Sequence, residues 1–198
     1  MLDVPNRLGL PLVMVHAVNV NAAKEADMST YLTVSDAAKE IRSALKTLGF
    51  NNRHVSVKSQ SYSGGSSIRV RILDASVPFS KVSDIANAHE SIHRDQFGEI
   101  LSGANRFVDV AYSRELVNTL AAELLPAVEA AVKYNDDVNP CYGLQTIGDG
   151  PYMVGRNDYG RLGVWISEGA TGSHVAEAYD AKGAAEVIAD RMLLAGRK

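Results

Sequence analysis

Cysteine is almost missing from this chain: Cys141 stands alone among 198 residues. One thiol cannot close an intramolecular disulfide, so the fold must rest on its core, and a reducing compartment fits best. Cys141 itself is expected to be a small buried side chain. Long apolar runs are missing too. Residues 10–20 (LPLVMVHAVNV) are too few to span a bilayer and include His16 and Asn19. They lack the basic flank and small-residue cleavage pattern of an export signal, so a buried strand in a cytoplasmic protein is expected there. Neither sign of charge prevails. Twenty basic against 23 acidic residues leave −3, which excludes a whole-protein nucleic-acid coat and confines any such contact to a local patch. The usual catalytic motifs are absent: there is no G-x-S-x-G, no C-x-x-C, and no G-x-G-x-x-G with a following acid. The sequence around Gly148-Asp149-Gly150-Pro151 reads as a turn, because Pro151 and a strand pattern follow it.

What is present suffices for a core. A hydrophobic share of 46% over 198 residues needs neither metal nor disulfide to fold. Thr33 and Asp36 fit a capping box, with Ser35 as a rival cap. Ile41, Ala44, Leu45 and Leu48 then recur at helical spacing up to Gly49. Val55 and Val57 alternate with Ser56 and Lys58, and Ile68, Val70 and Ile72 alternate with Arg69 and Arg71. Period two on both sides of Gly64-Gly65 predicts a hairpin with one buried and one wet face. A second helix is expected from about Ser80, after Pro78, with Val82, Ile85, His89 and Ile92 on one side, and a strand over residues 106–112 (RFVDVAY). Ser113 is placed to cap a long helix that Pro126 should kink or divide. Asn135-Asp136-Asp137 and Pro140 form a candidate linker. Eight of the sixteen glycines fall between Gly143 and Gly172, which predicts turns and short strands, at 152–154, 162–167 and 174–179. Asp180 should cap a terminal helix.

From about Tyr31 to Tyr112 the order is helix, hairpin, helix, strand. With SDAAKEIRSALKTLGF, YSGGSSIRV and FVDVAYS as the matching pieces, this stretch resembles the large polyvalent protein-associated domain of type 29, found in proteins of phages and conjugative elements. The resemblance implies an accessory protein of a mobile element, working in the host cytoplasm to blunt host defences. It transfers no enzymatic activity, and it does not reach residues 136–198.

Three constellations could carry chemistry. On the wet face of the hairpin, Lys58, Arg69 and Arg71 should project together. Residues 39–81 hold eight basic and two acidic residues, a local balance of +6 in a chain of −3, so the remainder carries −9. Such polarity steers an anionic partner, and Tyr62 is placed to stack on a base. The plainer alternative is a solvated face whose arginines guard an edge strand. The loop 63–67 (SGGSS) offers backbone N–H groups for an anion, although the turn alone accounts for Gly64 and Gly65. Finally, His89-Glu90-Ser91-Ile92-His93 is H-E-x-x-H. On a helix, His89 and His93 would share a face and hold zinc, with Glu90 as general base. Against this, Arg94 and Asp95 follow at once, Gln96 interrupts any extension, and no motif marks Glu99, Asp109 or Glu115 as a third ligand.

The expected protein is α+β: a small antiparallel sheet with helices packed on one face, followed by a glycine-rich β-β-β-α unit. The expected segments are an N-terminal strand and linker (1–29), an α+β domain (30–135) and the appendage (136–198). The expected function is non-catalytic binding of a host defence complex or nucleic acid through Lys58, Tyr62, Gly64, Gly65, Arg69 and Arg71, with no cofactor and no membrane. The alternatives are a zinc-dependent hydrolase using His89, His93 and Glu90, and a structural or self-assembly module. Trp165 is expected in the core of the C-terminal hairpin.

Overall fold

The computed structural model describes residues 32–101, 105–138, 143–157, 159–168 and 171–196. Residues 10–20, Pro140 and Cys141 lie outside these. Thr33 caps the first helix, α1 (Val34–Thr47): its hydroxyl oxygen accepts the Asp36 N–H at 3.1 Å. Thr33, not Ser35, is therefore the cap. The apolar stripe Ala37, Ala38, Ile41 and Leu45 is buried, and the helix stops at Gly49, whose φ of 86° suits a residue without a side chain.

The hairpin forms in the expected register. β1 (Val55–Tyr62) and β2 (Gly65–Ile72) pair antiparallel, Val57 opposite Val70 and Lys58 opposite Arg69, around the turn Ser63-Gly64. Gly64 takes φ 93°. Gly65 is required for a different reason. A Cβ there would meet the Asn105 carbonyl oxygen at 2.8 Å, because β3 (Asn105–Tyr112) starts beside it. β3 joins β2 in parallel, Gly65 beside Asn105 and Ile72 beside Tyr112, giving the order β1-β2-β3. The first sheet is thus mixed. Helix α2 (Phe79–Asn87) lies between β2 and β3 in the chain, and a strand that returns after a crossover helix can run alongside its predecessor. Val55, Val57, Ile68, Val70 and Ile72 form the buried face, with Ile41 and Leu45 of α1 and Val82 of α2 in the same core. Each such side chain contributes about 1.5–3 kcal/mol.

Ser113 Oγ accepts the Leu116 N–H and starts α3 (Arg114–Val138), which runs through Pro126 undivided for 25 residues. The linker expected at Asn135-Asp136-Asp137 is helical instead. Asn135 is 2% exposed and donates to the Val154 carbonyl at 3.0 Å, while Asp136 pairs with Arg156. Tertiary partners there override the turn preference of the three residues.

The glycine-rich segment makes a second, antiparallel sheet in sequential order: β4 (Gln145–Thr146), β5 (Tyr152–Arg156), β6 (Leu162–Glu168) and β7 (Thr171–Glu177). The two-residue β4 lies outside the expected strands. Asp180 caps α4 (Ala181–Leu194) by accepting the Gly183 N–H at 2.8 Å. Ala121, Val128 and Ala131 of α3, Val154 and Val164 of the sheet, and Ala184 and Ile188 of α4 share one core. Alanines on both helices permit their close approach. Trp165 is only half-buried. It points away from Val164 and meets His174 edge-on, ring centroids 5.3 Å apart. Residues 33–198 form one compact unit. Tyr112 helps close it: its hydroxyl lies 3.1 Å from both the Val77 and the Leu193 carbonyl oxygens, tying the end of the first sheet to the last turn of α4. The fold class is α+β, and no described helix is long and apolar enough to cross a membrane.

Candidate cationic face of the hairpin

Strand alternation decides what the outer face of the first sheet presents. With Val57 and Val70 turned to the core, Lys58, Gln60 and Tyr62 of β1 lie on the opposite side, as do Ser67, Arg69 and Arg71 of β2 and Phe107, Asp109 and Ala111 of β3. Lys58, Arg69 and Asp109 fall in one row across the three strands. Lys58 and Arg69 are directly opposed and exposed. Neither makes an ion pair among the described residues. Like charges facing each other across a pair are unfavourable, by a few tenths of a kcal/mol up to about 1.

Asp109 does not relieve that pair. Its carboxylate turns to Arg71, which donates to Oδ2 at 2.5 Å and to the Asp109 carbonyl at 3.2 Å. Arg71 also reaches the Val70 carbonyl at 2.9 Å, and its side chain keeps only 29% of its exposure. Arg71 is therefore not a free cation on this face. It lies on the face of Lys58 and Arg69, as expected, but it is ion-paired, because β3 delivers a carboxylate 38 residues downstream that the alternation of β1 and β2 cannot reveal. Sequence could have found Asp109 only by assuming the parallel register.

Tyr62 lies on the same face four residues further along β1, at the turn end of the hairpin, 45% exposed, with its ring over Gly65 (Cε2 is 3.5 Å from where a Cβ would stand) and its hydroxyl 3.4 Å from the Ser66 carbonyl oxygen. Gly64 and Gly65 answer to the turn and to the approach of β3, as described, so their backbone needs no ligand to explain it. The face thus brings together Lys58, Arg69 and an aromatic ring, with Arg71 held back as a structural arginine.

The H-E-x-x-H stretch is not helical. α2 ends at Asn87, the chain turns through Ala88 and His89, and Ser91 bridges Arg106 on the far edge of β3. Without a helix, His89 and His93 lose the one-face relation on which the zinc reading depends. Each residue has another engagement. His89 Nδ1 lies 3.8 Å from the Glu40 carboxylate, Glu90 Oε1 accepts the Val108 N–H at 3.3 Å, and the His93 N–H donates to Asn105 Oδ1 at 2.8 Å. Among the described residues no three histidine, cysteine or carboxylate side chains are grouped to hold a metal ion.

No protein-family model matches the chain, and neither a curated protein nor a solved structure is significantly similar to it.

Proposed function

We propose that this protein binds single-stranded nucleic acid through the outer face of the hairpin, with Lys58 and Arg69 taking backbone phosphates and Tyr62 stacking on a base. The observation that carries this reading is the opposed, exposed and uncompensated Lys58–Arg69 pair. Its mutual repulsion falls when an anion enters between the two side chains. Tyr62 on the same side supports a strand with unpaired bases, since base–aromatic stacking is tolerant of sequence. The acidic balance of the rest of the chain keeps the contact local and salt-sensitive. The mobile-element origin expected from the sequence would make this an accessory protein acting on nucleic acid in a host; no family model supports that origin, and the binding reading does not depend on it.

The test is fluorescence anisotropy of a short labelled oligothymidylate against the full chain at two salt concentrations. Binding is expected to weaken with salt, and Lys58→Glu with Arg69→Glu is expected to abolish most of it and to lower the salt slope by about two. The reading is abandoned if the wild-type protein does not bind, or if the double reversal leaves binding unchanged. Capture of an acidic polypeptide in place of the oligonucleotide would count equally against it.

A further inference from the structure

The turn after α1 holds a second cationic feature, separate from the hairpin face. A groove of about 520 Å³ is bounded by Arg42 and Lys46 of α1 and by Phe50, Asn52 and Arg53 of the loop that follows. Arg42 and Lys46 are four residues apart and so share one helix face. Arg42 is anchored: one of its terminal nitrogens donates to the Val57 carbonyl at 2.7 Å, which leaves the remaining donors of its fork for other acceptors. The loop is braced by its own backbone. The Leu48, Gly49 and Phe50 N–H groups return to carbonyls of α1, and the Asn51 carbonyl accepts from both His54 and Val55. Asn51 Oδ1 also takes the Arg53 N–H at 2.9 Å. The cations are thus presented on a hydrogen-bonded frame.

No aspartate or glutamate lines the groove. The negative end of α1 favours Lys46, which sits in the last turn. It does not account for Arg53, which lies beyond the helix, or for the concavity. Three cationic residues lining one hollow with no carboxylate among its lining residues match a group of concentrated negative charge with several acceptor oxygens. Phe50, half-buried at the wall, adds an apolar surface beside them. We propose that the groove seats the phosphate groups of a small phosphorylated ligand. The groove is built by α1 and the loop after it, whereas Lys58 and Arg69 belong to the sheet, so separate variants test the two sites.

Isothermal titration of the full chain with inorganic tripolyphosphate, with adenosine triphosphate and with oligothymidylate tests the assignment. Saturable binding of either small phosphate is expected. Lys46→Glu with Arg53→Glu is expected to weaken it about tenfold or more, with only a small drop in thermal midpoint from the carboxylate placed at the negative end of α1, because neither side chain makes a tertiary hydrogen bond among the described residues. Lys58→Glu with Arg69→Glu is expected to leave it unchanged. Equal affinities for the two small ligands assign recognition to phosphate alone. A clearly tighter nucleotide adds Phe50 to the site. The proposal is overturned if neither small phosphate binds, if binding survives Lys46→Glu with Arg53→Glu, or if that variant loses only the oligonucleotide, which would make the groove an extension of the strand-binding face.

Discussion

The Arg71 guanidinium closes on the Asp109 carboxylate at 2.5 Å across the parallel β2–β3 pair. One carboxylate from the third strand thereby divides the three cations of the hairpin into one structural residue and two available ones. Since Asp109 keeps 59% of its side-chain exposure, the pair adds about 1 kcal/mol at most to stability.

Asp109→Asn separates these roles. It is expected to lower the denaturation midpoint slightly and to tighten oligothymidylate binding about two- to fivefold, by removing the acidic charge that β3 places in the row of Lys58 and Arg69 and by releasing Arg71. Weaker binding by this variant would contradict the assignment of the face.

Tyr112 holds two carbonyl oxygens from distant segments. Tyr112→Phe leaves both without their shared donor and is expected to cost about 1–3 kcal/mol in chemical denaturation. Burial pushes the Tyr112 hydroxyl above its ordinary pKa, with the Asp190 charge adding to the rise and a backbone hydrogen bond at Phe79 opposing it. A raised pKa means that the folded state favours the neutral form. This contribution is present below the unfolded value of about 10 and is lost as pH climbs above it. The Phe variant should show a shallower alkaline decline in stability, and identical profiles would refute this role.

The Asp136–Arg156 pair acts at the opposite end of the pH scale. Hydrogen bonds from Arg156 at 2.6 and 2.8 Å hold the Asp136 carboxyl below its ordinary range, against an opposing rise from burial and with a lesser lowering from the Arg156 charge. A depressed pKa stabilises the fold above the unfolded value, about 3.9, and this is lost as pH falls through the lower folded value. Asp136→Asn should flatten that acid limb by less than about 1 kcal/mol, since both side chains are partly exposed. Urea midpoints measured from pH ~2 to pH ~6 check it.

The two glycines of the hairpin turn fail differently when replaced. Gly64→Ala forces a side chain onto φ 93° in open space and is expected to cost about 1 kcal/mol. Gly65→Ala drives a Cβ into the Asn105 carbonyl at 2.8 Å, so β3 must shift, at about 1–3 kcal/mol. Hydrogen exchange should then quicken across β2–β3 in the second variant and stay near wild type there in the first.

Local chemistry was legible in the sequence wherever a residue's neighbours in the chain decide its role. Thr33 and Asp180 cap because a hydroxyl and a carboxylate stand just before helical periods. Gly49 stops a helix, and Val55–Val57 and Ile68–Val70–Ile72 alternate because one face must be dry. The spacing of Val82, Ile85, His89 and Ile92 carried the expected second helix, and with it the H-E-x-x-H, past Asn87, where α2 ends. There the backbone gains more by hydrogen-bonding to β3 through Ser91 than by another turn of helix.

What the chain alone determined, then, is each element's period and end, for these follow from backbone preferences and side-chain polarity over a few residues. The tertiary structure decided which charges are free. Ion pairs are set by through-space distance, and only the parallel arrival of β3 brings Asp109 to Arg71, while the course of α3 carries Asp136 to Arg156. The same pairing left Lys58 facing Arg69 with no carboxylate between them.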